Sequence, residues 1–197
     1  MTTTPRRGRR PGSPDTRAAI LAAARERFAR QGYAGTSVRG VAAAAGVDSA
    51  LVHHYFGAKE DLFIAALELR VDPREVVPQL LAGGIEGAGE RLVRTFLDVW
   101  DDEETRLPLL ALLRGAVEPG GDRLVRDGFV RMVLEPLGAG LGVDRAELRM
   151  ALTASQLFGL VLFRYVIRVE PLASAPVEEL VATYAPVVQG YLSDPLP

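Results

Sequence analysis

The chain of 197 residues contains no cysteine, and it holds only two histidines and a single lysine. The absence of thiols excludes disulfide bonds, cysteine-ligated zinc and a cysteine nucleophile. The histidines are the neighbours His53 and His54, and adjacent side chains on a helix diverge by about 100°, so they do not converge on one metal ion. No histidine follows them to serve as a general base. We therefore predict that the protein is not an enzyme and that it has neither a metal site nor a cofactor.

Long apolar segments are also absent. No run of about 18 consecutive apolar residues occurs, as a membrane-spanning helix would need. The first ten residues, MTTTPRRGRR, lack the apolar region of a secretory signal. We therefore expect no membrane span, no membrane partner and a cytoplasmic location.

The formal net charge of −2 conceals an uneven distribution. Residues 1–70 carry eleven Lys or Arg and six Asp or Glu, a balance of +5. Residues 71–197 carry twelve and nineteen, a balance of −7. A basic segment favours a polyanionic partner and an acidic segment does not, so the two parts are expected to have different partners.

Residues 1–14 are rich in arginine, proline and glycine and almost devoid of apolar side chains, a composition typical of a disordered segment. Two interpretations stay open for its four arginines. They belong either to a solvated tail or to an arm that follows DNA phosphates or enters a minor groove.

The spacing of apolar residues predicts helices over about 15–31, 37–45 and 49–55, with a fourth from about residue 58 to the residue before Pro73. Thr36 or Ser37 is the expected cap of the second helix, and Asp48 that of the third. A glycine turn joins these two short helices, which is the layout of a helix-turn-helix. The third helix would then enter a major groove of DNA.

Beyond Pro73 the apolar spacing remains helical, and no segment alternates with a period of two. A long helix is predicted over about 145–169, capped by Asp144, and a last helix over about 177–192. The predicted fold class is all-α. The long helix carries apolar residues on more than one face, so one face needs a cover beyond the core of its own chain, and the last helix offers further apolar side chains. A homodimer through these helices is the favoured interpretation, and a monomer with a thicker core is the alternative.

The segment TSVRGVAAAAGVDSALVHHYFGAKEDLF, residues 36–63, resembles the TetR family of bacterial transcription regulators. The shared features are the Thr-Ser-Val-Arg opening, the Ala-x-x-Ala-Gly-Val turn, the His-Tyr-Phe end and the Lys-Glu-x-Leu start of the next helix. The upstream ILAAARERFARQGYAGTS is similar to the first helix of the family, and the resemblance covers about residues 15–70. Farther along the chain, it extends only to the general helical plan.

The resemblance implies three segments: a basic arm at 1–14, a three-helix helix-turn-helix DNA-binding domain at 15–70 with its motif at about 37–56, and a helical effector-binding and dimerisation domain at 71–197. It implies a homodimeric regulator on the nucleoid, most often a repressor. Such a protein leaves a palindromic, double-stranded operator when an unidentified small apolar or amphipathic effector binds. Two functions compete with this one: that of an architectural DNA-binding protein without an effector, and that of an enzyme on a helical scaffold.

Nine residues are candidates for DNA contact because they open the second helix, line the third or start the fourth: Ser37, Arg39, Ser49, Ala50, Leu51, His53, His54, Tyr55 and Lys59. Arg39 can reach guanine or phosphate, or it is a solvated surface arginine. Leu51 either contacts a base or packs on the second helix. Lys59, with the amides of its helix N-terminus, would hold a phosphate, or it is an ordinary exposed lysine.

Candidates for the effector pocket are aromatic or polar residues of the second part: Phe96, Trp100, Phe129, Gln156 and Phe163. Aromatic residues of this kind either fill the core or line an apolar pocket between helices. Gln156 interrupts an apolar helix, so it contacts either the effector or a neighbouring helix.

Overall fold

A computed structural model describes residues 14–116 and 121–197 of the chain. The regular elements of these residues are all helical, which confirms the all-α class. The α-helices are α1 (Pro14–Gly35), α2 (Val38–Ala45), α3 (Ser49–Phe56), α4 (Lys59–Leu67), α5 (Pro73–Leu81), α6 (Ala88–Asp101), α7 (Glu103–Ala116), α8 (Gly121–Phe129), α9 (Glu135–Leu141), α10 (Ala146–Val161) and α11 (Val177–Ser193). Short π-helical segments, Val130–Leu134 and Leu162–Val166, follow α8 and α10. The predicted arm, up to residue 13, lies outside the described residues.

The described residues form two compact units. The first holds α1 to α4 and the beginning of α8, and the second holds the remaining helices. The boundary falls between Glu68 and Leu69. The assignment of DNA binding to 15–70 and of effector binding and dimerisation to 71–197 remains a prediction.

The short helices α2 and α3 begin and end where local chemistry requires it. The Ser37 hydroxyl oxygen accepts a hydrogen bond from the Gly40 amide at 3.1 Å, and an Asp48 carboxylate oxygen accepts one from the Ala50 amide at 2.7 Å. Both are side-chain caps of helix N-termini, as predicted. Gly46 ends α2 with a φ of 68°, a left-handed conformation that glycine adopts without a steric penalty.

The core of the first unit holds α2, α3 and α4 against α1. Phe28 and Phe63 are fully buried and meet edge to face at 4.7 Å. Val41 of α2 and Val52 of α3 are also buried, with 0% and 1% exposure. The helix α3 buries Val52 and Phe56, whereas its residues Ala50, His53 and His54 are exposed.

In the second unit α6 and α11 pack closely along their length. Gly89 lies against α11, where an added Cβ would come within 2.5 Å of the Ala185 carbonyl oxygen, so this contact requires glycine. The Gln189 side chain accepts a hydrogen bond from the Gly89 amide and donates one to the Ile85 carbonyl. These contacts fix α11 on the core of the unit.

The helix α10 begins within one residue of the predicted position, but its N-terminal cap differs from the prediction. Asp144 does not cap the helix; its carboxylate instead accepts hydrogen bonds from the buried Arg149. The α-helix also ends earlier than expected, at Val161, and a π-helical segment continues it to Val166. Arg164 donates hydrogen bonds from this segment to the carbonyls of Leu172 and Ala175, so a tertiary contact governs the end of the helix.

Much of the apolar surface of α10 and its continuation is not covered. Among the described residues, the segment Ala146–Val166 is the one helix that is long and apolar enough to cross a membrane by length and composition alone, and 39% of its apolar window is buried. The uncovered large side chains here and nearby are 38–55% exposed: Leu148, Leu162, Phe163, Val166, Ile167, Val169 and Val187. Such a surface needs a partner of some kind.

Candidate nucleic-acid interface

The predicted DNA-contacting residues lie on α2, on α3 and at the start of α4, all within the first unit. Five of them are exposed: Ser37, Arg39, Ala50, His53 and His54. Four are partly buried: Ser49, Leu51, Tyr55 and Lys59. Since Val52 and Phe56 of α3 face the core, the face with Ala50, His53 and His54 is open to a partner.

Ser37 has two possible tasks that do not conflict. Its oxygen accepts the capping hydrogen bond from Gly40. A serine hydroxyl also carries one hydrogen that it can donate. Ser37 can therefore cap α2 and still donate to a phosphate oxygen beside the neighbouring Arg39.

His53 is oriented by the end of its own helix. Its Nδ1 lies 2.9 Å from the Gly57 carbonyl oxygen, which can only accept a hydrogen bond, so Nδ1 carries the proton and donates. Nε2 is the remaining nitrogen, and it donates to a phosphate oxygen only when the ring is charged. In the described parts of the chain, no group of three His, Cys, Asp or Glu side chains could hold a metal ion.

Tyr55 presents an unsatisfied polar atom in this region. Its hydroxyl is buried and has no hydrogen-bond partner within the described residues. Buried hydroxyl groups are normally hydrogen-bonded, so this oxygen is an exception in the first unit.

Two residues near this surface were not singled out by the sequence. Arg17 of α1 is exposed, and its guanidinium lies 5.1 Å from the ring centroid of Phe56. Tyr33, also of α1, lies beneath Lys59, whose ammonium is 4.2 Å from the ring centroid. Both are contacts between distant parts of the sequence, which helical periodicity does not reveal.

The start of α4 carries charges of both signs. The Tyr33 hydroxyl donates a 2.5 Å hydrogen bond to Glu60, and this bond holds the pKa of the Glu60 carboxyl below its usual range. Asp61 accepts a hydrogen bond from the Ala58 amide at 2.9 Å, which caps the helix. Lys59 is thus the cationic side chain of a first turn that also holds two carboxylates.

The five predicted effector-pocket residues have different surroundings in the described structure. Phe96 packs on the buried Trp100, with ring centroids 5.9 Å apart, whereas Phe129 meets Phe158 edge to face at 5.1 Å. Phe163 is 44% exposed. Gln156 alone among the five lines a groove of about 710 Å³ between the segment 171–176 and α11.

A polar cluster adjoins Trp100. Tyr165 stacks on Trp100 at 5.7 Å and donates a 2.8 Å hydrogen bond to Asp101. Burial, reinforced by this carboxylate, raises the pKa of the Tyr165 hydroxyl, so the hydroxyl stays protonated and acts as a donor. The guanidinium of Arg164 lies 3.5 Å from the same Asp101 carboxylate.

In a comparison with known proteins, both parts of the chain match family models. A family model described as bacterial regulatory proteins, tetR family, matches residues 20–66. A model described as tetracyclin repressor-like, C-terminal domain, matches residues 86–192. The second match includes α10 and α11.

Two curated mycobacterial proteins are similar to part of the chain. They are the HTH-type transcriptional repressor Rv3405c of Mycobacterium tuberculosis and the HTH-type transcriptional regulator Mb3439c of Mycobacterium bovis. Each is 36% identical over 107 residues, which cover 50% of this chain. The match spans 57% of the length of each of these relatives.

A solved structure, that of the TetR-family regulator SCO0857 from Streptomyces coelicolor, is similar over almost the whole chain. It is 41% identical in sequence, and the match covers 95% of this chain and 99% of that one, with a TM-score of 0.49.

Proposed function

Because the chain belongs to the TetR family of bacterial regulatory proteins, we propose that it is a homodimeric repressor that binds a palindromic operator and leaves it when a small molecule binds. Members of the family are DNA-binding transcription regulators and not enzymes, and a repressor is among the curated relatives. We place this protein in the cytoplasm, on the nucleoid.

The observation that carries the DNA-binding proposal is the exposure of α3 beside basic side chains. The helix is fixed by the Asp48 cap and by the burial of Val52 and Phe56, so its free face is held rigidly. Ser49, Ala50 and Leu51 at its N-terminal end would approach base edges, where a serine hydroxyl can hydrogen-bond and an alanine methyl can meet a thymine methyl. Small side chains here imply that phosphate contacts and DNA shape supply much of the specificity.

The phosphate contacts are assigned to side chains that surround α3. Arg39 and Lys59 supply positive charge, and Ser37, His53, His54 and Tyr55 supply hydrogen-bond donors. The exposure of Ser37, Arg39 and His54 supports this assignment.

We expect the replacement of Arg39 or Lys59 by alanine to weaken DNA binding at least fivefold, because each change removes one phosphate contact, and to lower the slope of log K against log salt by about one. The measurement is fluorescence anisotropy with a labelled duplex of the intergenic DNA next to the gene, at about 50 to 200 mM salt.

Arg114→Ala is the matched control, because Arg114 is an exposed arginine of the second unit on α7, outside the helices of the proposed homodimer. An equal loss of affinity in this control would make the effect one of net charge and would refute the assigned contacts. If the unsubstituted chain binds neither this duplex nor any other intergenic DNA, the operator proposal fails.

The homodimer is proposed through α10 and α11, the helices predicted over about 145–169 and 177–192. Its support is the uncovered apolar surface of Ala146–Val166 together with Val187 of α11, which is 43% exposed. A second copy that packs these helices against their equivalents would cover this surface. Two copies of α3 would then face successive major grooves, about 34–36 Å apart.

The effector is proposed to be apolar or amphipathic and to bind among Phe96, Trp100, Phe129, Gln156 and Phe163. The ring pairs Phe96–Trp100 and Phe129–Phe158 supply apolar walls. Gln156, which lines the groove beside α11, and the protonated Tyr165 hydroxyl would supply polar contacts. A ligand acts only through its different affinities for the DNA-binding and non-binding states.

Trp100 offers a direct test, because it is the only tryptophan of the chain. We expect an effector to change the intrinsic fluorescence of Trp100 and to lower DNA affinity over the same concentration range. A screen of amphipathic small molecules by fluorescence, followed by DNA anisotropy on each positive compound, measures both effects. Compounds that alter the fluorescence and never the DNA affinity would favour an architectural DNA-binding protein instead.

A further inference from the structure

The structure holds the only lysine of the chain on an aromatic platform. The Lys59 ammonium lies 4.2 Å from the centroid of the Tyr33 ring, a distance at which the face of the ring attracts a cation. We propose that Tyr33 is a positioning residue for DNA binding, whose ring holds the Lys59 ammonium in place for a phosphate. This inference rests on the proposed function, because it assumes that Lys59 contacts DNA.

The Tyr33 ring is itself held rigidly. It is 6% exposed, it stacks on Phe28 with a 7° angle between the planes, and it meets Phe63 edge to face at 5.1 Å. Phe28 and Phe63 are completely buried. The platform under Lys59 is therefore part of the core of the first unit, and it connects α1 to α4.

The hydroxyl end of Tyr33 adds a second restraint on the first turn of α4. It donates to Glu60, the residue that follows Lys59. One side chain thus contacts both neighbours, the ammonium through its face and the carboxylate through its edge. A lysine side chain is flexible, so holding it before DNA arrives reduces the freedom lost on binding.

The first experiment separates the ring from the hydroxyl. Tyr33→Leu removes both, whereas Tyr33→Phe keeps the ring and removes only the bond to Glu60. We expect Tyr33→Leu to raise the Kd for the intergenic duplex about two- to fivefold, the range of an exposed cation–π contact, and Tyr33→Phe to leave it near the original value. A duplex of unrelated sequence should give the same ratios, because a phosphate contact is independent of base sequence.

A double-mutant cycle then distinguishes positioning from packing. If the ring acts through Lys59, Tyr33→Leu has no further effect on the Kd in a chain that already carries Lys59→Ala. If Tyr33 only supports the core, the loss is the same in both backgrounds, and the proposal is overturned.

A measurement on the unsubstituted chain does not depend on how well any variant folds. Incorporation of ¹³C-labelled lysine gives signals from Lys59 alone, because the chain contains no other lysine. We expect the ε-CH₂ protons to be shifted upfield by the Tyr33 ring current, to keep that shift in Tyr33→Phe and to change on addition of the duplex. An ε-CH₂ signal at the position of free lysine would overturn the proposal.

Failure of the proposed Lys59–DNA contact can be distinguished from failure of the positioning role of Tyr33. A chain that binds no DNA, or a Lys59→Ala variant with an unchanged Kd, overturns the proposed contact and this inference with it. An effect of Lys59→Ala without coupling to Tyr33 overturns the positioning role alone.

Discussion

Replacement of Arg149 by alanine is expected to lower the free energy of unfolding by about 3 kcal/mol, within the range for breaking a buried charged network. The Arg149 side chain is 3% exposed. Its Nε donates to the backbone oxygen and the carboxylate of Asp144, both at 2.9 Å, and one terminal nitrogen donates to the carbonyls of Tyr191 and Asp194 at 2.7 and 3.0 Å. The guanidinium therefore joins the start of α10 to the end of α11, and alanine satisfies none of these acceptors.

The matched control is Arg70→Ala. The Arg70–Glu104 pair has the same 2.7 Å separation as the Arg149–Asp144 pair, but its side chains are 60% and 73% exposed. An exposed pair contributes about 0–1 kcal/mol, so the control should lose little. Because the ion-pair distance is the same in both pairs, the difference between the two variants measures the contribution of burial and of the backbone hydrogen bonds to stability.

Urea denaturation at a fixed protein concentration measures both effects, because the stability of an oligomer depends on concentration. Arg149→Lys should not restore the lost stability, since an ammonium lacks the planar set of donors that reaches three residues. Equal losses in Arg149→Ala and Arg70→Ala would show that the buried network contributes no more than a surface pair.

The sequence predicted α2 and α3 to within one residue because their limits are set locally. Ser37 and Asp48 supply the N-terminal caps, and Gly46 supplies the left-handed residue at which α2 ends. These signals involve residues two to four positions apart, so they can be recognised in a single sequence.

The N-terminal cap and the C-terminal end of α10 were predicted wrongly, because contacts outside the helix determine them. Asp144 was expected to cap the helix, but Arg149 engages its carboxylate while reaching the end of α11, more than forty positions along the chain. Arg164 similarly fixes the turn after the helix through the carbonyls of Leu172 and Ala175. Helical periodicity contains no information about either contact.

The same distinction applies to the candidate sites. The residues assigned to DNA contact occupy a short motif of fixed spacing, so the sequence places them on neighbouring helices. The effector pocket depends instead on where distant helices leave space, and aromatic composition does not determine that. The contact between Tyr33 and Glu60 joins positions 27 apart, which is why the positioning role emerges only from the fold.

The proposed homodimer gives the second large expected effect, which is a progressive loss of self-association when the side chain at Gly159 is enlarged. A Cβ added at Gly159 would meet nothing within 4 Å in its own chain, so larger side chains fit the isolated subunit. The position lies on the uncovered face of α10, in the same stripe as Leu148, Leu162 and Val166, which are 40%, 44% and 49% exposed. Two helices that pack closely at a glycine have no room for a large side chain there.

We expect Gly159→Ala to remain dimeric and Gly159→Trp to raise the dimer dissociation constant at least 100-fold, about 2.7 kcal/mol or more by the usual conversion, with Gly159→Leu between them. Sedimentation equilibrium across the micromolar range measures this series. The secondary structure should persist, because replacing a helical glycine favours the helix by up to about 1 kcal/mol. Circular dichroism thus separates a folded monomer from an unfolded chain.

Operator binding should decline in the same order, because one subunit carries only one α3 and a palindromic site offers two half-sites. In this series the larger side chains cause no clash within the isolated subunit. If dimer dissociation and the loss of DNA affinity both increase with the size of the side chain at Gly159, the interface lies on α10. If all three variants associate as tightly as the original chain, the interface lies elsewhere. A persistent monomer in the unsubstituted chain would refute the homodimer and leave the exposed apolar stripe to another partner.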